Sequence, residues 1–447
     1  MKARDHLVHC GQFRSHILTA LSLTVSLASL SQGCAEEEEG RRRVLNQPLE
    51  LFLEPAQEAR FELRDAEDDN ALLAQGLSLR PIAQASSPFV EGAQVQASDL
   101  LFRGEQLIVS YNFQGAEHKG ALQVIDVSDP EAPILSAELI LPRVDLNRIQ
   151  LYQDRYLIVA AGASERAATL EVFDLGVAEE GPADGEGQLI FAADDASEET
   201  LPTSPQLVAS LDLPSRQATM VTLYQESALV TTGDQGGVLL VDLSVPTAPR
   251  IIAERPLEDA RHVEVLEGGE LLLVTGGETA SLLRRSWSWL TGETEEASGG
   301  FRFEQAPAVT RELSLEGLSV GAPSWGFRVQ ERFHLSADER GLMTFSLADG
   351  GLTESSLVPT EGDANAGAIS ADQRLSFLAN GQEGLAILDV QAGHPTQLLA
   401  RFDLPGDRGS ANAVALQGEL VALADGLGGV KLLSATLIEV GEGILSR

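Results

Sequence analysis

Residues 231–242 read TTGDQGGVLLVD, residues 378–389 read LANGQEGLAILD and residues 423–434 read LADGLGGVKLLS. Residues 335–346, LSADERGLMTFS, follow the same plan. Each stretch leaves one apolar run, crosses a few Gly, Asp or Asn residues and enters a second apolar run. Gly, Asn and Asp tolerate the positive-φ positions of tight hairpins, so each copy predicts a strand, a turn and a strand. A plan that recurs along a chain marks a repeat architecture, which outranks the reading of any single segment.

A second landmark follows the turns. Asp126-Val127-Ser128-Asp129-Pro130 leads to Pro133, Asp242-Leu243-Ser244-Val245-Pro246 leads to Pro249, and Asp389-Val390 leads to Pro395. Pro205 marks a weaker copy after an insertion. Proline has no N–H and belongs in a loop or at a sheet edge. Beyond these prolines come further apolar runs that themselves end in proline: Leu135–Pro142, Leu207–Pro214, Ile251–Pro256 and Leu398–Pro405. Ahead of the turns lie paired runs such as Met220–Tyr224 with Leu229–Thr232, and Ala413–Leu416 with Leu420–Leu423. The unit is four short strands in roughly 43–50 residues, the size of one propeller blade.

The expected fold is all-β, a β-propeller of seven four-stranded blades. They span 97–143, 144–214, 215–257, 258–318, 319–361, 362–406 and 407–447. Six blades is the alternative if the fourth or fifth unit is misread. Blades two and four carry excess length at Val177–Thr203 and Thr279–Gly300, acidic and rich in Gly and Ser as exposed loops are. Residues 44–96 precede the propeller (97–447). Pro48–Leu53 and Ala59–Arg64 read as a strand pair around Glu54-Pro55, and Gly76–Ile82 as a strand able to close the ring. Asp65–Asn70 reads as a turn.

The run Gly384-Leu385-Ala386-Ile387-Leu388-Asp389-Val390, with its downstream prolines, resembles the LVIVD repeat. Gly237–Leu243 and Leu122–Val127 match it too. The resemblance covers about residues 97–440, strongest in blades one, three and six and weakest in blade four. It implies a secreted β-propeller of the kind found on bacterial envelope proteins, and no activity that can be assigned to a residue.

The N-terminus reads as an address. Lys2, Arg4 and Arg14 precede Ile17–Leu30, an apolar stretch of 14 residues. That is short for a membrane span, which needs about 20, and suits the core of an export signal. Leu30-Ser31-Gln32-Gly33-Cys34 resembles a bacterial lipobox, with Ser31 where Leu is usual. Residues 1–34 would then be a lipoprotein signal peptide and Cys34 the lipidated residue, followed by a polar tether at 35–43, AEEEEGRRR. Conventional cleavage nearby, leaving a free thiol, is the alternative. Ala35 after the cysteine resembles the pattern of lipoproteins sent to an outer membrane. The expected location is therefore that membrane, facing periplasm or cell surface, with the lipid as the sole membrane contact.

Charge and composition narrow the function. The 447 residues hold 31 Lys+Arg against 67 Asp+Glu, a formal charge of −36. Removing residues 1–34 takes away three basic residues and one acidic residue and leaves −38. A phosphate backbone would be repelled over most of such a surface, so no nucleic-acid partner is expected. Two cysteines exclude a disulfide framework and a cysteine-rich zinc site. With 43% hydrophobic residues the chain can bury a sizeable core.

Four features could carry chemistry. Gly317-Leu318-Ser319-Val320-Gly321 matches the G-x-S-x-G elbow of hydrolases, but Gly, Ala and Pro follow where a helix is needed. A blade-to-blade turn explains it better. His118, His262, His334 and His394 lack metal-ligand spacing in sequence. Asp234, Asp338, Asn380 and Asp425 recur at the same turn and could ring a Ca²⁺ ion. Hairpin geometry accounts for the same recurrence, so no cofactor is expected. Arg284-Arg285-Ser286-Trp287-Ser288-Trp289 concentrates interface-type residues in an acidic chain. Arg284, Arg285, Trp287 and Trp289 are therefore the candidate interface, on a strand whose one face could instead be core. The functional expectation is a monomeric, non-catalytic scaffold that binds an envelope protein or glycan. An enzyme with its site in the central channel, and a passive structural lipoprotein, are the alternatives.

Overall fold

The repeating turn lies between the second and third strands of each blade, and in several blades it bonds forward to the next blade. Gly233 N–H donates to Ala260 O at 3.0 Å, Asp338 and Ala364 exchange two backbone bonds, and so do Gly381 and Ala411. The last turn bonds to the first blade, with Ala97 N–H donating to Gly426 O at 2.9 Å. These contacts come from a computed structural model that describes residues 41–48, 50–51, 59–64, 72–115, 117–163, 167–176, 205–233, 236–277, 280–292, 311–315, 325–404 and 409–439.

Seven antiparallel sheets succeed one another and form a seven-bladed β-propeller. Blades 1 to 6 occupy 96–141, 144–212, 220–256, 260–314, 326–358 and 367–402. Blade 7 takes three strands from 413–439 and a fourth, Leu72–Ala85, from the N-terminal region. In blades 1 to 6 chain order is spatial order, from the channel outward.

The repeated aspartate has a local cause. Asp126, Asp174, Asp242 and Asp389 each end a third strand, and each accepts the N–H two residues on, at 2.8–3.0 Å. This side-chain turn is the usual use of Asp where a strand must stop. The apolar residue that follows turns inward. Val127, Leu175, Leu243 and Val390 are buried, and their N–H groups donate to carbonyls in the turn between the first two strands. Glycine opens the third strand because the fourth passes close. A Cβ on Gly237 would collide with the carbonyl oxygen of Arg255.

The core divides by seam. Seven clusters of buried apolar side chains each join one blade to the next. They include Leu122 with Leu157, Leu170 with Val221, Leu229 with Leu271, Leu272 with Phe333, Phe327 with Leu378, Phe377 with Val421, and Leu107 with Val430. Second and third strands bear most of this packing, so their sequences are nearly continuous apolar runs. Each fully buried Leu, Ile or Phe contributes about 1.5–3 kcal/mol.

The N-terminal region differs from expectation in its pairing. Leu72–Ala85 pairs with Val430–Glu439 from Ala85↔Val430 to Gln75↔Glu439, a longer strand than Gly76–Ile82. Glu50–Leu51 and Ala59–Arg64 each pair with Leu72–Ala85 and not with one another. Arg41–Pro48 adds a fifth strand to blade 1, so the last three residues of the expected tether, Arg41 to Arg43, are paired backbone. In blade 4 the insertion expected at Thr279–Gly300 begins later. Ser281–Ser286 is the third strand and pairs with Glu270–Val274. The signal segment 1–34 with Cys34, tether residues 35–40, the turn at 65–70, the insertion at 177–203 and residues 293–300 of the second insertion lie outside the described residues. Among the described residues no helix is long and apolar enough to cross a membrane.

Candidate functional site

The innermost strands line the central channel, and their first polar residues are used as ties. Ser98 Oγ donates to Leu146 O at 2.6 Å and Asn147 Nδ2 to Ala218 O at 3.1 Å. Thr219 Oγ1 donates to Ala260 O at 3.0 Å. Asn365 Nδ2 reaches Ala411 O and Asn412 Nδ2 reaches Ala97 O, both at 2.8 Å. Each tie crosses from one blade to the next and satisfies a backbone carbonyl at the channel wall.

Within this ring lies a cavity of about 320 Å³. Its wall includes Phe102, Met220, Trp325 and Val414, and its charged groups are Asp99 and Arg148. Both follow a tie residue at a β-bulge, Asp99 after Ser98 and Arg148 after Asn147. The bulge inserts one extra residue and re-aims its neighbour. Asp99 Oδ1 accepts from its neighbour Leu100 N–H at 3.0 Å, and Oδ2 accepts from Ile149 N–H at 2.9 Å across the blade 1–2 seam. Burial raises its carboxyl above the usual range, against the opposing pull of Arg148 and these N–H groups. Arg148 Nη1 forms an ion pair with Asp99 Oδ1 at 3.6 Å, joining blades 1 and 2. Trp325 leans on Gly367, where a Cβ would lie 3.1 Å from its ring. Its ring centroid is 4.8 Å from that of Phe327.

A second polar group sits between blades 4 and 5. Glu264 Oε1 is 3.6 Å from Arg328 Nε, and burial pushes the Glu264 carboxyl up to about 7. His262, two residues earlier on the same strand, is 3% exposed, and neither ring nitrogen has a hydrogen-bond partner. Burial and then the charge of Arg148 lower its pKa to about 3, which keeps the ring neutral.

The four candidate interface residues do not act as one patch. Arg284 pairs with Glu270 and donates to Leu347 O and Gly351 O of blade 5 at 3.3 and 3.1 Å, bolting blades 4 and 5 together. Arg285 Nη1 donates to Arg311 O at 2.9 Å. The expected strand stops at Ser286, and Trp287–Thr291 forms one helical turn ended by Gly292 at φ 71°. Trp287 is therefore buried in the blade 3–4 seam, 5.5 Å from the Tyr224 ring. Trp289 is half-buried at the rim of that seam, beneath the Arg255 guanidinium at 5.9 Å.

The histidines are dispersed. His118 Nδ1 meets Asp145 Oδ2 at 2.6 Å between blades 1 and 2. His334 Nδ1 meets Thr344 Oγ1 at 3.1 Å, and its ring stacks on Phe327. His394 O accepts from Arg332 at 2.5 Å, a second bolt between blades. Of the turn residues, Asp338 takes φ 52°, Asn380 Nδ2 donates to Thr360 O at 3.1 Å, and Asp425 lies 3.9 Å from Lys431. Among the described residues no three His, Cys, Asp or Glu gather as metal ligands do. Asp234 and Gly317–Gly321 lie outside the described residues.

Sequence reading missed Asp99, Arg148 and Trp325. The first two occupy matching positions in blades 1 and 2, so aligning innermost strands would have found them; Trp325 carried no comparable signal.

No protein-family profile matches this chain, and no curated protein matches it in sequence. Solved structures do match in shape. A chain from the crystal structure of the mitotic checkpoint complex superposes with a TM-score of 0.51 at 9% identity, covering 92% of this chain and 98% of that one. A putative 6-phosphogluconolactonase from Bacteroides fragilis gives 0.50 at 12% identity, covering 73% and 89%. Raptor from Chaetomium thermophilum gives 0.50 at 9%, covering 77% of this chain and 28% of its own. At such identities the likeness reaches the fold and no further: this chain is a seven-bladed β-propeller.

Proposed function

We propose that this protein is a lipid-anchored β-propeller of the bacterial cell envelope that holds a protein or glycan partner without catalysing a reaction. The observation that carries the binding reading is the use of its inner polar groups. Ser98, Asn147, Thr219, Asn365 and Asn412 tie neighbouring blades at the channel wall, while Arg284 and Arg332 bolt them farther out. Such a ring is rigid, and a rigid frame presents loops at little entropic cost. Exposed apolar side chains stand on its surface at Phe89, Val245 and Leu427. Phe89 pairs with Gln94, whose Nε2 donates to Leu427 O at 3.3 Å, so Phe89 and Leu427 share one surface beside the closing seam. The lipid anchor rests on the Gly33-Cys34 motif and the envelope location on the LVIVD resemblance.

An enzyme would need acid and base groups converging on the cavity. Its one carboxylate, Asp99, already accepts two backbone N–H groups. Two measurements test the proposal on the full-length protein in cells. Cys34→Ser should release it from the membrane fraction; continued membrane retention would remove the anchor. Cross-linking in intact envelopes should yield one reproducible partner that Phe89→Asp with Leu427→Asp abolishes. A partner unchanged by that pair, or none, would overturn the binding reading at this surface.

A further inference from the structure

We infer that the exposed surface at Phe89 and Leu427 faces the bilayer and binds a membrane-embedded protein. This rests on the lipid-anchor reading above and names the kind of partner that its apolar surface takes.

Strand directions fix which face is which. Ala97, Ala260, Ala364 and Ala411 stand at the starts of inner strands, and each bonds to the turn between the second and third strands of the preceding blade. These starts and turns therefore share one face of the ring. Leu427 belongs to the last of the turns. Phe89 lies between Leu72–Ala85 and the first inner strand, so both stand on that face. The chain leaves toward Cys34 from the same face. Arg41 pairs with Ile140, one residue before the outer strand of blade 1 ends at Leu141 and shortly before the next inner strand starts at Val144. Pro48 pairs with Ile134 at the opposite face.

Seven residue steps separate Cys34 from Arg41, about 25 Å at full stretch. Arg41–Pro48 spans about the same distance from face to face. Seating the opposite face on the bilayer would take the whole tether held straight along the edge of blade 1. Seating the Phe89 face needs no such extension, and extension costs conformational entropy. Charge points the same way, because both acidic insertions are rooted at the opposite face. One leaves after Gly176, past the third strand of blade 2, and residues 177–204 hold eight acidic residues and no basic one. The other leaves after Gly292, past the third strand of blade 4, and residues 293–310 hold four acidic residues and one basic. Anionic headgroups repel such a face.

Local charge selects protein over lipid as the occupant. Phe89 and Leu427 are 65% and 41% exposed. Glu91, two residues from Phe89, and Glu117 are exposed too, and they share the ammonium of Lys119 at 4.0 and 2.7 Å. Carboxylates so placed would lose hydration on entering a bilayer. A protein surface with an apolar centre and a basic rim matches both features.

The test places a photo-cross-linking phenylalanine analogue at position 89 of the full-length protein in cells, and in a second variant at position 245. Val245 is 55% exposed and follows the third strand of blade 3, on the opposite face. Position 89 should yield one protein adduct that stays in the membranes through alkaline extraction, and position 245 should not yield it. Glu91→Lys with Glu117→Lys should reduce that adduct at least about fivefold, by setting like charges against the basic rim. Unchanged melting of the variants guards against unfolding. Cys34→Ser, fractionated without cross-linking, tests the anchor by itself. If it releases the protein, the anchor stands, and a failure at position 89 belongs to this inference alone; if it does not, the inference falls with the anchor. An adduct with an extractable protein, an adduct with lipid, the same adduct from both positions, or no adduct at position 89 would each overturn the assignment.

Discussion

Asn412 Nδ2 donates to Ala97 O at 2.8 Å, across the seam where the last blade meets the first. The N–H of the same Ala97 donates to Gly426 O at 2.9 Å, so both backbone groups of one residue are satisfied by blade 7. Asn365 does the equivalent between blades 6 and 7. Replacing Asn412 by Ala leaves a carbonyl at a buried seam without its donor and should cost about 1–3 kcal/mol. Asn412→Asp sets oxygen against oxygen and should cost more. Urea unfolding of the two variants measures this, and an Asp variant as stable as the parent would contradict it.

The strand Leu72–Ala85 closes the ring from the far end of the chain. Its Leu79 is fully buried in the blade 6–7 seam with Leu433 and Val421. Leu79→Ala should cost about 2–5 kcal/mol, through lost burial and the cavity left behind. Leu207, on the outer strand of blade 2 and 46% exposed, is the control: Leu207→Ala should stay within about 0.5 kcal/mol. Equal losses at both positions would mean that closure is not a special source of stability.

What could be read in the sequence was what the backbone decides locally. The Gly and Asp turns and the strand-ending aspartates each act within a few residues, so Asp242 or Gly237 declares its role without the rest of the fold. Pairing over long range is different. Glu50–Leu51 and Ala59–Arg64 carry strand patterns, but only closure of the ring decides that both lie on Leu72–Ala85. Trp287 and Trp289 alternate as a strand would. One helical turn after Ser286 sends them to different environments, and sequence period cannot tell so short a helix from a strand end. The Asp99–Arg148 pair was invisible for a third reason: its members belong to different blades and meet only in the channel.

Arg284 and Glu270 form a buried pair in blade 4, each side chain about one-tenth exposed. Arg284 also donates to two carbonyls of blade 5. Glu270→Gln keeps the shape but leaves a buried guanidinium uncompensated, and should cost about 3–5 kcal/mol. The double variant Glu270→Met with Arg284→Met removes both charges and should recover part of that loss. It leaves Leu347 O and Gly351 O without their donor, so recovery should be incomplete. A double-mutant cycle by chemical denaturation reads the coupling, and strict additivity would show the pair to be idle.

Buried histidines and buried carboxyls pull the pH dependence of stability in opposite directions. Burial lowers His262 and His334 to about 3, so the folded state holds both rings neutral. Their contribution is fully present above the unfolded value near 6.5 and is lost as pH falls toward 3. Burial raises Glu264 to about 7 and Asp425 to about 6, so the folded state holds these protons more tightly than the unfolded chain. Each therefore costs stability as pH rises from about 4 through its folded value. Between pH 7 and pH 4 the two effects offset, and the parent protein should show a shallow profile there. Variants expose the components. His262→Phe should gain stability relative to the parent on going from pH 7 to pH 4. The gain is about 3 kcal/mol, from roughly 2.5 pH units at 1.36 kcal/mol each. Glu264→Gln should be more stable than the parent at pH 8 and lose that advantage by pH 4. Urea unfolding at pH 4, 5.5, 7 and 8 measures both, and a difference from the parent that stays flat across this range would rule out titration at the substituted residue.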